Sequence, residues 1–354
     1  MSHILISAAH KSSGKTTISI GLCAALSKLG LRISPFKKGP DYIDPMWLSK
    51  ASDTPCYNLD FHTMSHPEIR YTFQHYSQGR DLSIIEGNKG LYDGLDLNGG
   101  NSNAALAKLL SAPVILVIDA QGMTRGIAPL ILGYQAFEPE INIAGIILNK
   151  LGGSRHEAKL RNVIEHYTNV PVIGAVHRDK SLVILERHLG LIPSNESIIS
   201  DKHIANIAQQ IANQVDLQRV ISIGNSIETE QRIAIAPKPL NRLPARPGTG
   251  TGTPVKIAIA RDAAFGFYYP EDISAFKKSG AELIVVDTLN DRHFPDVDAL
   301  FIGGGFPETH LSALSGNASL RTEIRLAIDA GLPVYAECGG LMYLSRSIHW
   351  RGKT

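Results

Sequence analysis

A lysine and a hydroxyl at consecutive positions, after a run of small residues, are the first side chains in this chain whose order points to chemistry. They lie in AAHKSSGKTT, Ala8 to Thr17. Small residues let successive backbone N–H groups turn inward around β- and γ-phosphates, so Ser12, Ser13, Gly14, Lys15, Thr16 and Thr17 form a candidate nucleotide-binding loop. Lys15 would neutralise phosphate charge, and Thr16 would ligate Mg²⁺. Ala9 stands where the common pattern has its first glycine. A chance GKT in a loop is the plain alternative, but the strand-loop-helix context that the motif requires is predicted around it.

Two acidic segments follow. PFKKGPDYIDP, Pro35 to Pro45, brings Asp41 and Asp44 to the end of a predicted strand, where open α/β sheets place ligands. A carboxylate there would hold Mg²⁺ or orient an incoming acid group, whereas Lys37 and Lys38 would attract an anionic substrate. A Pro/Gly/Asp turn with solvated lysines is the competing reading. IIEGNKGLYDG, Ile84 to Gly94, ends a further strand in Glu86, a candidate metal ligand beside Thr16 and Asp41, with Asp93 seven residues later reaching substrate or water. A solvated loop pair remains open. Lys38, Tyr42, Lys89 and Tyr92 are candidate substrate contacts. Asp119 closes VILVIDA at a similar strand end and would equally cap the next segment.

A different chemistry is suggested near the other end. YAECGG sets Cys338 directly after a predicted strand and before a helix, the arrangement of a nucleophile elbow whose backbone N–H groups cradle an oxyanion. Gly339 and Gly340 would be poor choices for an ordinary helix start, which weighs against a merely structural cysteine. GGGFPE, Gly303 to Glu308, follows another strand end and would supply further donors.

Positioning these groups requires parallel sheets covered by helices. Short apolar runs at Ile4 to Ser7, Arg32 to Phe36, Leu82 to Glu86, Val114 to Asp119, Ala144 to Asn149 and Val172 to Val176 predict buried strands. Helices are predicted over Thr16 to Leu29, Asn103 to Leu110, Ile127 to Ala136 and Arg155 to Tyr167. From Pro237 to Pro254, five prolines and three glycines interrupt the pattern. Strands restart at Val255 to Ala260, Glu282 to Val286, Ala299 to Ile302 and Pro333 to Ala336, with helices near Ile273 to Ser279 and Leu320 to Ala330. The expected division is residues 1–225, a linker over 226–254 and a second α/β domain over 255–354. A chain of 354 residues is long enough for two such cores.

Composition narrows the partners. Lys plus Arg exceeds Asp plus Glu only by 35 − 33, or +2, so nucleic acid is not an expected partner. No apolar run approaches the roughly 20 residues that cross a bilayer, and no basic-then-apolar leader opens the chain, so neither a membrane nor secretion is expected. Three cysteines, Cys23, Cys56 and Cys338, form no disulfide framework and have no zinc-type spacing, which fits a reducing cytoplasm. Oligomeric state stays open, a homodimer included.

Taken together, AAHKSSGKTT, PFKKGPDYIDP, EGNKGLYDG, APVILVIDA, IAGIILNKLGGSRHEAKLR, RHLGLIPSNE, DAAFGFYYPEDI, FIGGGFPETHL and YAECGGLMYL resemble the glutamine-dependent cobyrinate a,c-diamide synthases over nearly the whole chain. The resemblance implies a P-loop NTPase-type, doubly wound parallel sheet like that of dethiobiotin synthetase, followed by a class I glutamine amidotransferase-like α/β domain. It implies ATP- and Mg²⁺-dependent amidation of the a and c acetate side chains of cobyrinate or hydrogenobyrinate, with nitrogen from glutamine or ammonia. Lys15 and Thr16 would serve phosphates and metal, Asp41, Asp44, Glu86 and Asp93 the ligase site, and Cys338 the glutaminase.

Asn88 and Lys89 depart from the small or apolar residues of the corrin enzymes, and this stretch looks more like the branch that amidates sirohaem in dissimilatory sulfur metabolism. Family members also continue past the cysteine to a catalytic His and an acidic partner, whereas sixteen residues follow Cys338 here. The expectation is therefore a truncated, incomplete amidotransferase domain with negligible glutaminase activity, amidation driven by ammonia, and apolar surface exposed where the further segment would pack. His349 is expected on the helix after the nucleophile, as a surface residue. A ParA/MinD-like ATPase switch would share the loop and sheet, but its signature lysine position holds His10, with Lys11 one residue off, and no basic amphipathic C-terminal helix is evident. Dethiobiotin synthetase would leave the cysteine elbow without a purpose, and cobyric acid synthase would surround its cysteine differently.

Overall fold

A computed structural model describes residues 1–187, 190–196, 200–226 and 254–352. Chain contacts divide it into two units, Met1–Ile192 with Ile199–Lys238, and Pro193–Ile198 with Pro239–Thr354. Most of the predicted Pro/Gly-rich linker, residues 227–253, lies outside the described residues.

The first unit alternates strands and helices: β1 (His3–Ala8), α1 (Lys15–Lys28), β2 (Ile33–Lys38), α2 (Ile43–Ser52), β3 (Tyr57–Leu59), α3 (His66–Ser77), β4 (Leu82–Glu86), α4 (Asn103–Leu110), β5 (Val114–Asp119), α5 (Ile127–Phe137), β6 (Ile143–Leu151), α6 (Ser154–Tyr167) and β7 (Val172–His177). A short antiparallel pair, β8 (Glu186–Arg187) and β9 (Gly190–Leu191), precedes α7 (Ser200–Gln214) and α8 (Leu217–Asn225). The seven-stranded sheet runs β3-β2-β4-β1-β5-β6-β7, and every pairing in it is parallel. Successive strands leave central β1 in both directions, which is the doubly wound arrangement. β1, β2 and β4 are buried along their whole length because helices cover both faces.

One face carries α3 to α6, whose Ile69, Phe73, Leu106, Ile127, Ile131 and Leu160 join Leu5, Ile85 and Leu116 in a continuous core. On α1, a Cβ at Gly21 would come within 2.2 Å of Ile211 on α7, so glycine permits the close approach of these two helices.

The second unit contains β10 (Lys256–Ala260), β11 (Phe265–Phe267), α9 (Pro270–Lys278), β12 (Glu282–Val286), β13 (Ala299–Ile302), β14 (Gly304–Gly305), α10 (Leu311–Gly316), α11 (Ala318–Asp329), β15 (Val334–Ala336) and α12 (Gly339–Tyr343). Its parallel sheet runs β12-β10-β13-β15, and β11 pairs antiparallel with β14. Ala258, Ala260, Phe265, Ile302, Leu314 and Leu320 form its core.

Among the described residues, no helix is long and apolar enough to cross a membrane. One placement is corrected. α12 ends at Tyr343, so His349 is not on the helix that follows Cys338; its Nε2 instead meets Ser347 Oγ at 3.1 Å.

Candidate active site

Parallel pairing collects the polar residues of the first unit at one sheet edge. Register sets Lys37 of β2 beside Glu86 of β4, and Glu86 beside Ile6 of β1, from which the phosphate-loop segment departs. Within that segment Ser12 and Gly14 have φ of 63° and 90°, and Gly14 directly precedes α1. Asn149 Nδ2 donates to Ser13 O at 2.8 Å, and Lys150 Nζ donates to Ser12 O at 2.8 Å. In a planar trans peptide the N–H lies opposite the C=O, so holding these carbonyls toward β6 turns the amides of Ser13 and Gly14 the other way, as a phosphate cradle needs. A side chain at Gly14 would bring its Cβ within 2.1 Å of Asn149 Nδ2.

Beside the loop stands an acidic cluster with a lysine at its centre. Thr16 Oγ1 donates to Glu86 Oε1 at 2.6 Å and to Asp44 Oδ2 at 3.3 Å. Lys37 Nζ donates to Asp44 Oδ2 at 2.6 Å and to Glu86 Oε1 at 3.0 Å, with Asp41 Oδ2 at 3.9 Å. Asp41 itself accepts the amides of Ile43 and Asp44, fixing the turn into α2. Lys37 is buried and its ammonium is committed to Asp44 and Glu86, so it is a counter-ion of this cluster; the expectation that it attracts an anionic substrate is corrected.

Electrostatics follow from this burial. Burial alone would push the Lys37 pKa down, but Asp44, Glu86 and Asp41 outweigh it and hold the ammonium above its ordinary range. Burial raises the Glu86 carboxyl above the usual carboxylate range despite Lys37, and burial with the neighbouring Asp44 charge raises Asp41. Lys15, also buried, is pushed down by desolvation against the pull of Glu86.

The predicted substrate contacts separate into two groups. Lys38 Nζ donates to Asn88 Oδ1 at 3.0 Å, and burial, with the charges of Lys37 and Lys89 nearby, lowers its pKa to about 8. Lys89 is exposed, with φ of 40°. Tyr42 is half-buried just before α2, and Thr17 is half-buried in the first turn of α1. Tyr92 gives its hydroxyl to Tyr134 O and packs its ring on Tyr134 and Phe137. Asp93 Oδ2 accepts the Gly90 amide at 2.8 Å, so the structure ties it to its own loop while Thr16, Lys37, Asp41, Asp44 and Glu86 converge. Asp119 pairs with Lys150 at 2.8 Å and accepts the Gln121 amide.

Sequence reasoning missed Asn58, Asn103, Asn149 and Lys150. Asn58 Nδ2 holds Gly39 O and Asp41 O at 2.7 and 2.8 Å. A polar Asn-Lys pair terminating the apolar run of β6 was the available signal for two of the four; nothing local marks the other two.

The residues fit an Mg²⁺. Glu86 Oε2 is buried without a hydrogen-bond partner, next to the Thr16 hydroxyl's site on Oε1. Among the described residues no cage of three or more His, Cys, Asp or Glu exists, but Mg²⁺ is commonly bound through one or two carboxylates together with waters and substrate phosphates.

In the second unit Cys338 occupies φ 51°, ψ −116° between β15 and α12, a conformation costly for a side-chain-bearing residue and found at functional turns. Its neighbours must be glycine. A Cβ at Gly340 would lie 2.3 Å from Ile302 O, and one at Gly339 would lie 2.9 Å from Gly305 O. An ideal Cβ at Gly304 would lie 3.3 Å from Cys338 Cβ, so β14 passes directly beside this cysteine. Within GGGFPE the Gly303 amide is taken by the Tyr268 hydroxyl and the Phe306 amide by Ala264 O, so neither is a free donor. His310 meets Glu196 at 3.3 Å.

Two families of known proteins match segments of this chain. Residues 4–192 match the family described as the CobQ/CobB/MinD/ParA nucleotide binding domain, and residues 256–354 match the CobB/CobQ-like glutamine amidotransferase domain. A cobyrinate a,c-diamide synthase of Magnetococcus marinus is 44% identical over 350 residues, covering 99% of this chain and 74% of that protein. Proteins of the same name from Methanosarcina acetivorans and Listeria innocua are 43% and 37% identical, covering 98% and 100% of this chain and 70% and 76% of theirs.

Proposed function

The chain belongs to the cobyrinate a,c-diamide synthase family, and from that premise we propose that it amidates the a and c acetate side chains of cobyrinate or hydrogenobyrinate in an ATP- and Mg²⁺-dependent reaction. We assign the ligase to residues 1–225, a linker to 226–254 and the amidotransferase part to 255–354. The observation that carries the reading is the convergence of Thr16, Lys37, Asp44 and Glu86 beside the phosphate loop.

A carboxylate is a poor acyl donor to ammonia and must first be activated. The substrate carboxylate attacks the γ-phosphorus of ATP, ADP leaves, and ammonia then attacks the acyl phosphate carbon and expels phosphate, with one proton lost from nitrogen. Lys15 neutralises charge on the transferring phosphoryl group, and the loop amides hold the phosphates. Thr16 and Glu86, with Asp41 nearby, would hold Mg²⁺, which supplies further charge neutralisation on the phosphates when bound. Lys37 offsets part of the burial penalty on the Glu86 carboxylate and, through its hydrogen bonds, fixes the positions of Glu86 and Asp44. Asp41, Asp44 and Asp93 would orient the substrate and the incoming ammonia. Lys38, Tyr42, Lys89 and Tyr92 would contact the tetrapyrrole, and Lys38 and Lys89 suit its carboxylates.

Cys338 would attack the glutamine carboxamide carbon and release ammonia, leaving a thioester that water hydrolyses to glutamate. Sparse cysteine usage supports a cytoplasmic setting, and the near-balanced charge supports small-molecule partners without nucleic acid or membrane.

The test is mass spectrometry after incubation with ATP, Mg²⁺ and either ammonium or glutamine, with cobyrinate, hydrogenobyrinate, sirohaem and sirohydrochlorin offered separately. Replacement of one or two OH groups by NH₂ on the corrin supports the reading. Amidation only of sirohaem or sirohydrochlorin replaces the substrate, and no mass change with any of them overturns the ligase assignment.

A further inference from the structure

Between Glu86 and Asp93 the chain makes a tight loop that carries Asn88 and Lys89; the amides of Gly87 and Leu91 tie its two ends to Ile6 O and Ala8 O of β1, and one buried side chain from outside the loop holds its middle. Asn103, the first residue of α4, is fully buried. Its Oδ1 accepts the Asn88 amide at 3.1 Å. Its Nδ2 faces three acceptors, Asn88 O, Gly90 O at 2.9 Å and Ser7 Oγ at 3.0 Å on β1. Both backbone polar groups of Asn88 are thus consumed by one amide, and that amide is itself anchored to the strand that feeds the phosphate loop.

The loop's shape follows from this attachment. A Cβ at Gly87 would lie 2.7 Å from the Asn103 carboxamide, so the loop passes Asn103 at a distance only glycine allows. With its backbone held, Asn88 directs its own carboxamide to Lys38, and Lys89 takes the left-handed φ of 40° that projects it into solvent. A buried amide that satisfies one backbone donor and two backbone carbonyls favours one path for the middle of the loop, because another path leaves those groups unpaired.

We propose that Asn103 is the positioning residue of the tetrapyrrole-recognising loop: it sets where Asn88, Lys38 and Lys89 stand, and so governs affinity for the polyanionic substrate without touching it. This rests on the ligase reading above. Asn103 makes no hydrogen bond to residues 12–17, so its loss is expected to weaken substrate binding more than nucleotide binding.

The experiment compares wild type with Asn103→Ala and Asn103→Ser, the serine keeping a small polar group should alanine fail to fold. Amide hydrogen exchange over residues 86–93 is read first, because it needs no substrate. Exchange of the Asn88 amide is expected to rise by about tenfold or more, the scale of one buried hydrogen bond, with residues 10–17 unchanged. Tetrapyrrole KM is then expected to rise by about tenfold while the ATP dissociation constant stays within about twofold. Double variants with Lys89→Ala should show less than the product of the single effects on KM, since both act through one loop. Unchanged exchange in residues 86–93, or equal weakening of ATP and tetrapyrrole, overturns the proposal. Faster loop exchange in a protein whose wild type amidates no tetrapyrrole overturns the ligase reading instead.

Discussion

Lys37 Nζ lies 2.6 Å from Asp44 and 3.0 Å from Glu86, and all three side chains are withdrawn from solvent to different degrees, Glu86 completely. A lysine that looks in the sequence like one of a solvated pair is the fixed cation of a triad, and its neighbour Lys38 is the one that faces the Asn88 loop.

Removing that cation leaves two carboxylates facing each other in low dielectric. Lys37→Met is expected to destabilise the first unit by about 3–5 kcal/mol, the cost of stranding a buried charge. Urea or thermal unfolding checks this; a loss under about 1 kcal/mol would mean that water reaches the cluster.

Glu86→Gln retains shape but removes charge. Amidation is expected to fall by on the order of 10² or more, the scale of losing one electrostatic contributor, and Asp41→Asn and Asp93→Asn are expected to fall similarly. Near-normal rates for all three would reduce the acids to turn chemistry.

Lys15→Ala is expected to abolish amidation-coupled ATP consumption while the circular dichroism spectrum and cooperative unfolding are retained, since the ammonium acts on phosphate charge. Wild-type ATP consumption by the folded variant would contradict it.

Titration of Lys38 gives opposite pH effects on binding and stability. Its pKa is lowered to about 8 from 10.5 in the unfolded chain, so between those values the unfolded chain keeps a proton the folded chain has lost. Stability from this group therefore rises with pH across that window and is lowest below about pH 8. Tetrapyrrole affinity runs the other way, weakening as pH passes about 8 and the ammonium is neutralised. Lys38→Met should flatten the affinity profile, and an inflection persisting in that variant would assign it elsewhere.

At the cysteine elbow, Gly340→Ala drives a Cβ onto Ile302 O, a backbone atom that has little freedom to yield. A stability loss of about 1–3 kcal/mol in the second unit is expected, with ammonia-driven amidation retained. Cys338→Ala should leave that same ammonia-driven rate and remove whatever glutamate release the chain shows; release persisting in the variant would dismiss Cys338 as nucleophile.

The long apolar strands were legible because burial on both faces leaves an unbroken hydrophobic run: Leu82–Glu86 and Val114–Asp119 were located to the residue. β3 was not, since it is three residues long and contains Asn58, whose side chain serves the Asp41 turn. α2 was hidden by Pro45 and by the turn chemistry of GPD, and α7 by a polar majority around Ile204, Ile207 and Ile211. At the site, residue types placed the loop and the acids at strand ends. The pairing of Lys37 with Glu86 needed the register between β2 and β4, and the role of Asn103 needed a helix start brought against loop residues thirteen and fifteen positions earlier.

The hold that Asn149 and Lys150 keep on the carbonyls of Ser13 and Ser12 has an entropic consequence. A glycine- and serine-containing loop would ordinarily sample many conformers when empty and surrender that freedom on taking up phosphate. Here two side chains of the rigid central sheet have already restricted it. Phosphate association then carries little ordering penalty, and nucleotide affinity depends on charge more than on loop closure. Severing the hold with Asn149→Ala transfers that ordering penalty to the binding step, so the variant should bind ATP with a more unfavourable entropy while its enthalpy of phosphate contact is largely kept.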